Sequence, residues 1–341
     1  VVMPRTMDGC IGLSTQDSMR LYVDDKLLID GWGKDKSADQ ALDFHFEAGR
    51  AYKIRIEFVN DRRGARVIFG YSAGRENFPA AVEAARKADV AILCMGDNEE
   101  TSGENFDRTD LNLPGRQLEL VQAVYATGTP VVLVLQSGRP VTANWENDHL
   151  PAILEAWFPG EQGGTAIAKT LFGDAAPGGR LPITFPRSVG QIPCHYSRRP
   201  GGGKRYVEMD WLPLYPFGYG LTYTTFAYRD MALSRSVIGP QDTVTVSVTV
   251  TNTGKYTGDA VPQLYVRDMF SSVVKPERQL AAFRRLTLAP GESRRVELTV
   301  GPKQLRTLGP DYVWRVEPGK FELQLGDNAE NILLRADLTV E

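Results

Sequence analysis

Hydrophobic positions along the chain change their period twice. Over residues 1–75 they alternate, as in "SMRLYVDDKLLIDGW", "YKIRIEFVN" and "ARVIFGYS". Period-two alternation predicts half-buried strands, and the Asp-Asp step predicts a tight hairpin turn. This stretch reads as a small β-barrel or sandwich module, cut off at its front. Over residues 76–187 the pattern switches to uninterrupted apolar runs separated by helical spacing. "DVAILCMG", "PVVLVLQSG" and "AILEAWFPG" are predicted strands, and "FPAAVEAARKA", "RQLELVQAVYATG" and "EQGGTAIAKTLFGD" are predicted helices. Continuous apolar strands joined through helices imply an α/β sandwich with a mainly parallel sheet covered on both faces. Residues 188–225 form a Gly-, Pro- and Tyr-rich linker. Residues 226–341 return to alternation at regular spacing, the pattern of a β-sandwich.

At 341 residues, two or three domains are expected. A net charge of −3 with both signs interspersed gives no reason to expect a nucleic-acid partner or an anionic membrane surface. No apolar stretch approaches the roughly 20 residues that span a bilayer. Cys10, Cys94 and Cys194 lack metal-type spacing, and Cys94 is expected to be a buried, inert thiol inside its apolar strand. His45, His149 and His195 are far apart in sequence, so neither a zinc site nor a Ser-His-Asp triad is expected, and no cofactor is called for. The opening "VVMPRTMDGC" reads as the middle of a strand-and-turn pattern, and sequence upstream of Val1 is expected.

The chemistry concentrates in "NEETSGENFDRTDLNLPG", residues 98–115. This acidic run follows a predicted parallel strand at its carboxyl end, where ligands of such sheets bind. Two readings stay open from the residues alone. In one, it is a solvated loop whose acids, Asp110 above all, favour the dipole of the next helix. In the other, Gly103 frees the backbone to present Glu104, Phe106 offers a ring for a ring-shaped substrate to stack on, and Asp107 with Arg108 pins the loop. A carboxyl beside an aromatic in a half-closed cleft is pushed towards the range a general acid needs. Trp32, at a predicted turn of the first module, is a second stacking candidate, with a structural tryptophan as the other reading. "GEQGG" at 160–164 lacks the Lys-Ser/Thr ending of a phosphate loop and reads as close helix–sheet packing.

"SGENFDRTDLNLPGRQLELV", "VVLVLQSGRPV", "ILEAWFPGEQGGTAIAKTLFGDAAPGGRLPITFPRSVGQIP" and "YPFGYGLTYTTF" together resemble the C-terminal half of family 3 glycoside hydrolases, the β-glucosidase family. "VPQLYVRD" and "VEPGKFELQLG" resemble that family's fibronectin type III-like domain, and "DSMRLYVDDKLLIDGW" its inserted protective-antigen-type β-barrel module. The resemblance implies a retaining mechanism. An aspartate nucleophile lies on a preceding (β/α)8 barrel, and a glutamate of the α/β domain serves as acid and then base. In a Gly-Glu-Gly-(Tyr/Phe)-Asp-Arg loop that glutamate falls on Glu104, with Asn105 in place of the second glycine; Glu99 and Glu100 are the fallback acids. Phe106 falls where related enzymes place an aromatic beside the leaving-group sugar. Nothing in the chain resembles the barrel, so the nucleophile is expected upstream of residue 1, and the chain alone is expected not to complete the double displacement. The implied activity is that of an exo-β-glycosidase, most simply a β-glucosidase. β-Xylosidase or natural-product glycosidase activity, or a non-catalytic carbohydrate-binding or scaffold role, are the alternatives. The implied partners are a β-glycoside or oligosaccharide and the barrel portion of the same enzyme, with a secreted or periplasmic location favoured and the oligomeric state left open.

Overall fold

The computed structural model describes residues 1–15, 18–32, 40–59, 67–72, 78–201 and 205–341. The boundary expected at 75–76 and the glycines at 202 and 203 lie outside them. The chain divides into two compact units, residues 1–88 with 122–128, and residues 89–121 with 129–341.

In the first unit, β1 (Met7–Thr15) pairs with β4 (Gln40–Phe46) and β6 (Val67–Ser72), while β2 (Met19–Val23) pairs with β3 (Lys26–Asp30) and β5 (Ile54–Phe58). The alternation places Ile11, Leu13, Met19, Leu21, Val23 and Phe46 in one shared core. No closed barrel forms among the described residues; two three-stranded sheets enclose the core. The β2–β3 turn is made by Asp24 and Asp25, both left-handed at φ 49° and 62°. That conformation matches the twist of a two-residue hairpin, and Asp tolerates it better than most side chains. This unit also holds α1 (Pro79–Arg86).

The second unit opens with β7 (Ala91–Gly96), followed by α2 (Gln117–Tyr125), whose last turns fall in the first unit. It continues with β8 (Val131–Gln136), α3 (Asn144–His149), β9 (Ala152–Glu155) and α4 (Gly163–Leu171). The three strands are parallel in the order β7-β8-β9. The middle strand is closed on both faces, with Val131, Leu133, Val134 and Leu135 at most 2% exposed. Edge strand β7 is different: Ile92 is 43% exposed and Cys94 is exposed beside it. The buried thiol expected from the apolar run is therefore corrected, because one face of this edge strand remains open. Gly163 opens α4 against Pro159, which lies 2.5 Å from where a Cβ would sit. Of the glycines in "GEQGG", Gly163 alone is closely packed; Gly160 and Gly164 have open space where a Cβ would sit.

The C-terminal sandwich packs the sheet β10 (Phe226–Leu233), β12 (Val244–Asn252) and β15 (Ser293–Val300) against a five-stranded sheet. The latter runs β11 (Val237–Ile238), β17 (Ile332–Val340), β16 (Gly319–Gly326), β13 (Gln263–Asp268) and β14 (Gln279–Phe283). The inward residues Val244, Val246, Val248 and Val250 meet Leu264, Leu323 and Leu325, all fully buried. Residues of 188–225 strap this sandwich to the α/β part. The Gly218 carbonyl accepts from the buried Gln263 amide at 3.0 Å, and the Tyr215 hydroxyl donates to Asn147 on α3 at 2.8 Å.

Candidate active site

The acidic loop leaves β7 through Gly96 and Asp97. Gly96 has φ 138°, and a Cβ there would lie 2.0 Å from the Gln136 carbonyl oxygen, so only glycine fits. Its backbone is gripped at both ends by one side chain. The Gly96 N–H donates to Gln117 Oε1 at 2.7 Å, and Gln117 Nε2 donates to the Gly96 carbonyl at 2.8 Å.

Asp97 is the anchor of the loop. Its carboxylate is 3% exposed. Ser137 Oγ donates to Oδ2 at 2.6 Å, and Thr101 Oγ1 donates to Oδ1 at 2.9 Å. Two guanidinium groups balance its charge, Arg108 Nη1 at 3.4 Å and Arg139 Nε at 3.5 Å. Arg139 then reaches over the loop, donating to the carbonyls of Thr101 at 3.2 Å and Phe106 at 3.4 Å. Arg108 ties the far limb, donating to Asp110 Oδ1 at 3.4 Å and the Asn112 carbonyl at 3.2 Å. A buried carboxylate is tolerated because hydrogen bonds and charge partners surround it.

Arg108 therefore pins the loop through Asp97 and Asp110, whereas Asp107 is exposed and has no hydrogen-bond or ion-pair partner among the described residues. Adjacent side chains point apart on extended backbone, and Arg108 faces inward while Asp107 faces solvent. Asp110 does not serve the helix: α2 begins only at Gln117, and the Asp110 carboxylate accepts from the Asn112 N–H at 2.9 Å.

The clamp leaves Glu104 at the exposed tip. Asn105 adopts φ 65°, the left-handed conformation in which Asn is the commonest substitute for Gly. Phe106 folds back on Gly103, whose hypothetical Cβ would lie 3.1 Å from the ring, and the ring stays 40% exposed. Glu104 and Phe106 thus stand two residues apart on an exposed tip whose root is held by these contacts. Glu99 and Glu100 occupy the preceding turn, also exposed, with the Glu100 N–H held by Asn98 Oδ1 at 2.9 Å. Trp32 is 37% exposed, with the Arg20 guanidinium 4.8 Å over its ring, and belongs to the first unit. Among the described residues no group of three His, Cys, Asp or Glu side chains is placed to hold a metal ion.

Sequence reading missed Asp97, Ser137 and Arg139. Each lies just beyond the apolar run of a parallel strand, at its carboxyl end, and that position is the signal that could have found them. Glu155, the last residue of β9, was missed as well. Its Oε1 accepts from the Trp157 N–H at 2.9 Å, while Oε2 is buried without a partner. Burial pushes this carboxyl up to about 7, against the opposing effect of the Trp157 hydrogen bond. A raised carboxyl means that folding takes up a proton, so its contribution to stability is whole below about pH 4.5 and fades as pH rises through 7. Glu155→Gln keeps the acceptor and removes the charge. It is expected to match the parent near pH 4 and exceed it by about 2 kcal/mol near pH 8, read by denaturant unfolding at both pH values.

Residues 14–223 match the glycosyl hydrolase family 3 C-terminal domain, and residues 260–329 match the fibronectin type III-like domain. A β-xylosidase of Formosa agariphila is 45% identical over 85% of this chain and 42% of its own length. A periplasmic β-glucosidase of Salmonella typhimurium is 42% identical over 74% of this chain and 34% of its own. Among solved structures, a β-glucosidase from Erythrobacter marinus superimposes with a TM-score of 0.75 at 41% identity, covering 77% of this chain and 36% of that one. A Kluyveromyces marxianus β-glucosidase in complex with glucose covers all of this chain and 44% of its own, with a TM-score of 0.73 at 28% identity. The chain spans less than half the length of these relatives.

Proposed function

The chain belongs to glycosyl hydrolase family 3, and we propose that it is the part of a retaining exo-β-glycosidase that carries the acid/base carboxyl, Glu104. The observation that carries this reading is the clamped loop. Asp97, Arg108 and Arg139 fix its root at the carboxyl end of the parallel sheet, leaving Glu104, Phe106 and Asp107 exposed at the tip.

In this reading Glu104 protonates the glycosidic oxygen as the bond breaks and then takes a proton from the water that releases the sugar. The nucleophile stands on a barrel portion of the same protein, about 5–5.5 Å from Glu104 in the assembled site, as a retaining mechanism requires. Phe106 stacks on the leaving-group sugar, Trp32 offers a second stacking surface, and Glu99 and Glu100 are the reserve acids. The chemistry needs two carboxyls and water, without metal or organic cofactor. The division into residues 1–75, 76–187, 188–225 and 226–341 belongs to the same proposal. So does a secreted or periplasmic location, supported by the relative named periplasmic.

β-Glucoside is the first substrate and β-xyloside the second, the latter favoured by the Formosa relative. The test is a panel of nitrophenyl glycosides on the full-length protein and on the 341-residue chain alone. We expect the full-length protein to cleave β-glucoside or β-xyloside and the 341-residue chain to release no nitrophenol. Full turnover by the 341-residue chain would refute the divided site. Inactivity of the full-length protein on every β-glycoside would favour a carbohydrate-binding role.

A further inference from the structure

Outside the acidic loop, the residues between β9 and the C-terminal sandwich enclose a cleft of about 350 Å³. That is the size of a small-ligand site, for which about 300–1,000 Å³ is usual. Its walls are aromatic, proline and polar side chains, with no Leu, Ile, Val or Met among them.

The walls are held rigidly. The Arg198 guanidinium lies 4.5 Å over the Trp211 ring and is itself fixed by Glu330 at 2.9 Å and Glu277 at 3.2 Å. Trp211 is nevertheless 39% exposed, so part of its ring remains open to a ligand. Opposite charges already balance Arg198, while Arg199 and His195 also line the cleft. Tyr206 is anchored by donating to the Gly190 carbonyl at 2.8 Å, which leaves its oxygen lone pairs as acceptors.

One lining group points to a ligand by itself. Thr184 is only 5% exposed, and its Oγ1 is buried with no hydrogen-bond partner. An unpaired buried hydroxyl costs roughly 1–3 kcal/mol, a cost that a ligand hydroxyl would remove once rotation about χ1 turned Oγ1 from its buried position into the cleft. Open aromatic surface, fixed polar groups and an unpaired hydroxyl suit a ring with one C–H face and a rim of hydroxyls.

We propose that this cleft is a second carbohydrate site, taking a neutral pyranose unit of the glycans that the enzyme cleaves at the acidic loop. The ligand class rests on the glycosidase reading above, but the cleft shares no residue with that loop. A non-hydrolytic hold on the glycan would keep substrate near the enzyme between cleavage events.

The test is saturation-transfer NMR of the 341-residue chain with cellobiose and with xylobiose. We expect saturable binding with a Kd in the range of about 1–10 mM, typical of a shallow sugar site. Trp211→Ala should weaken it at least about tenfold, by loss of the ring contact. Thr184→Val, of equal size and without the unpaired hydroxyl, should weaken it several-fold while the melting temperature holds or rises. Glu104→Gln should leave it untouched. Absence of saturable binding up to about 50 mM of either sugar, or binding indifferent to both cleft variants, would overturn the proposal. Binding without turnover by the full-length protein would sink only the catalytic reading; turnover without binding by the 341-residue chain would sink only this one.

Discussion

Replacing Glu104 by alanine in the full-length protein is expected to cut turnover of a disaccharide by about 10²–10⁴-fold, the usual contribution of a placed general acid–base. The loss should depend on the leaving group. A sugar alkoxide needs its proton as the bond breaks, whereas a dinitrophenolate leaves without one. Bond cleavage of the activated aryl glycoside should therefore be nearly spared, and the glycosyl-enzyme should accumulate because no base activates water. Glu104→Gln should behave alike. Glu99→Gln and Glu100→Gln should retain most activity, since both sit on the preceding turn rather than beside Phe106. A Glu104 variant with normal disaccharide turnover and an inactive Glu99 or Glu100 variant would move the role to the earlier turn. Stopped-flow release of the aryl group, compared with steady-state turnover, separates the two steps.

The second large effect belongs to Asp97. Its carboxylate is 3% exposed and shared by two guanidinium groups that are themselves 18% and 22% exposed. Asp97→Ala leaves both arginines partly buried without their counter-ion and strips Ser137 and Thr101 of their acceptor. Removing one partner from a buried charge cluster costs about 3–5 kcal/mol; because the arginines keep some contact with water, about 3 kcal/mol is expected here. Arg139 would lose the point from which it holds the Thr101 and Phe106 carbonyls, so the tip carrying Glu104 would shift. A shift of about 1 Å is enough to cost on the order of 100-fold in turnover. Asp97→Asn keeps the shape and half of the acceptors, and should fall between alanine and parent in both stability and rate. Denaturant unfolding of the 341-residue chain measures the first effect, and disaccharide kinetics of the full-length protein the second. A stable, active Asp97→Ala protein would show that the loop does not depend on this anchor.

Much of the architecture was legible because each part obeys one period. The alternating runs became β2, β3, β5, β6 and the C-terminal sandwich, and the continuous apolar runs became the parallel strands β7, β8 and β9. Asn105 was legible in position, and the structure adds that it takes the left-handed turn a glycine would take. What was not legible depends on long-range placement. Arg108 was read beside its neighbour Asp107, but its inward partner comes from the end of β7. Arg139 comes from the end of β8, and no local pattern links 97, 108, 137 and 139. Cys94 looked buried because an edge strand and a central strand have the same apolar texture. Glu155 was read as part of a strand, and only burial shows that its second oxygen has no partner.

The central claim is that Glu104 is the acid/base of a double displacement, and chemical rescue tests it most directly. The Glu104→Ala protein in its full-length form is incubated with a dinitrophenyl β-glycoside and sodium azide, and the product is identified by NMR. A small anion can enter the space left by the carboxylate and attack the glycosyl-enzyme without a base. The account predicts faster turnover with azide and a glycosyl azide of β configuration. Rescue that is absent, or a product of α configuration, would contradict it.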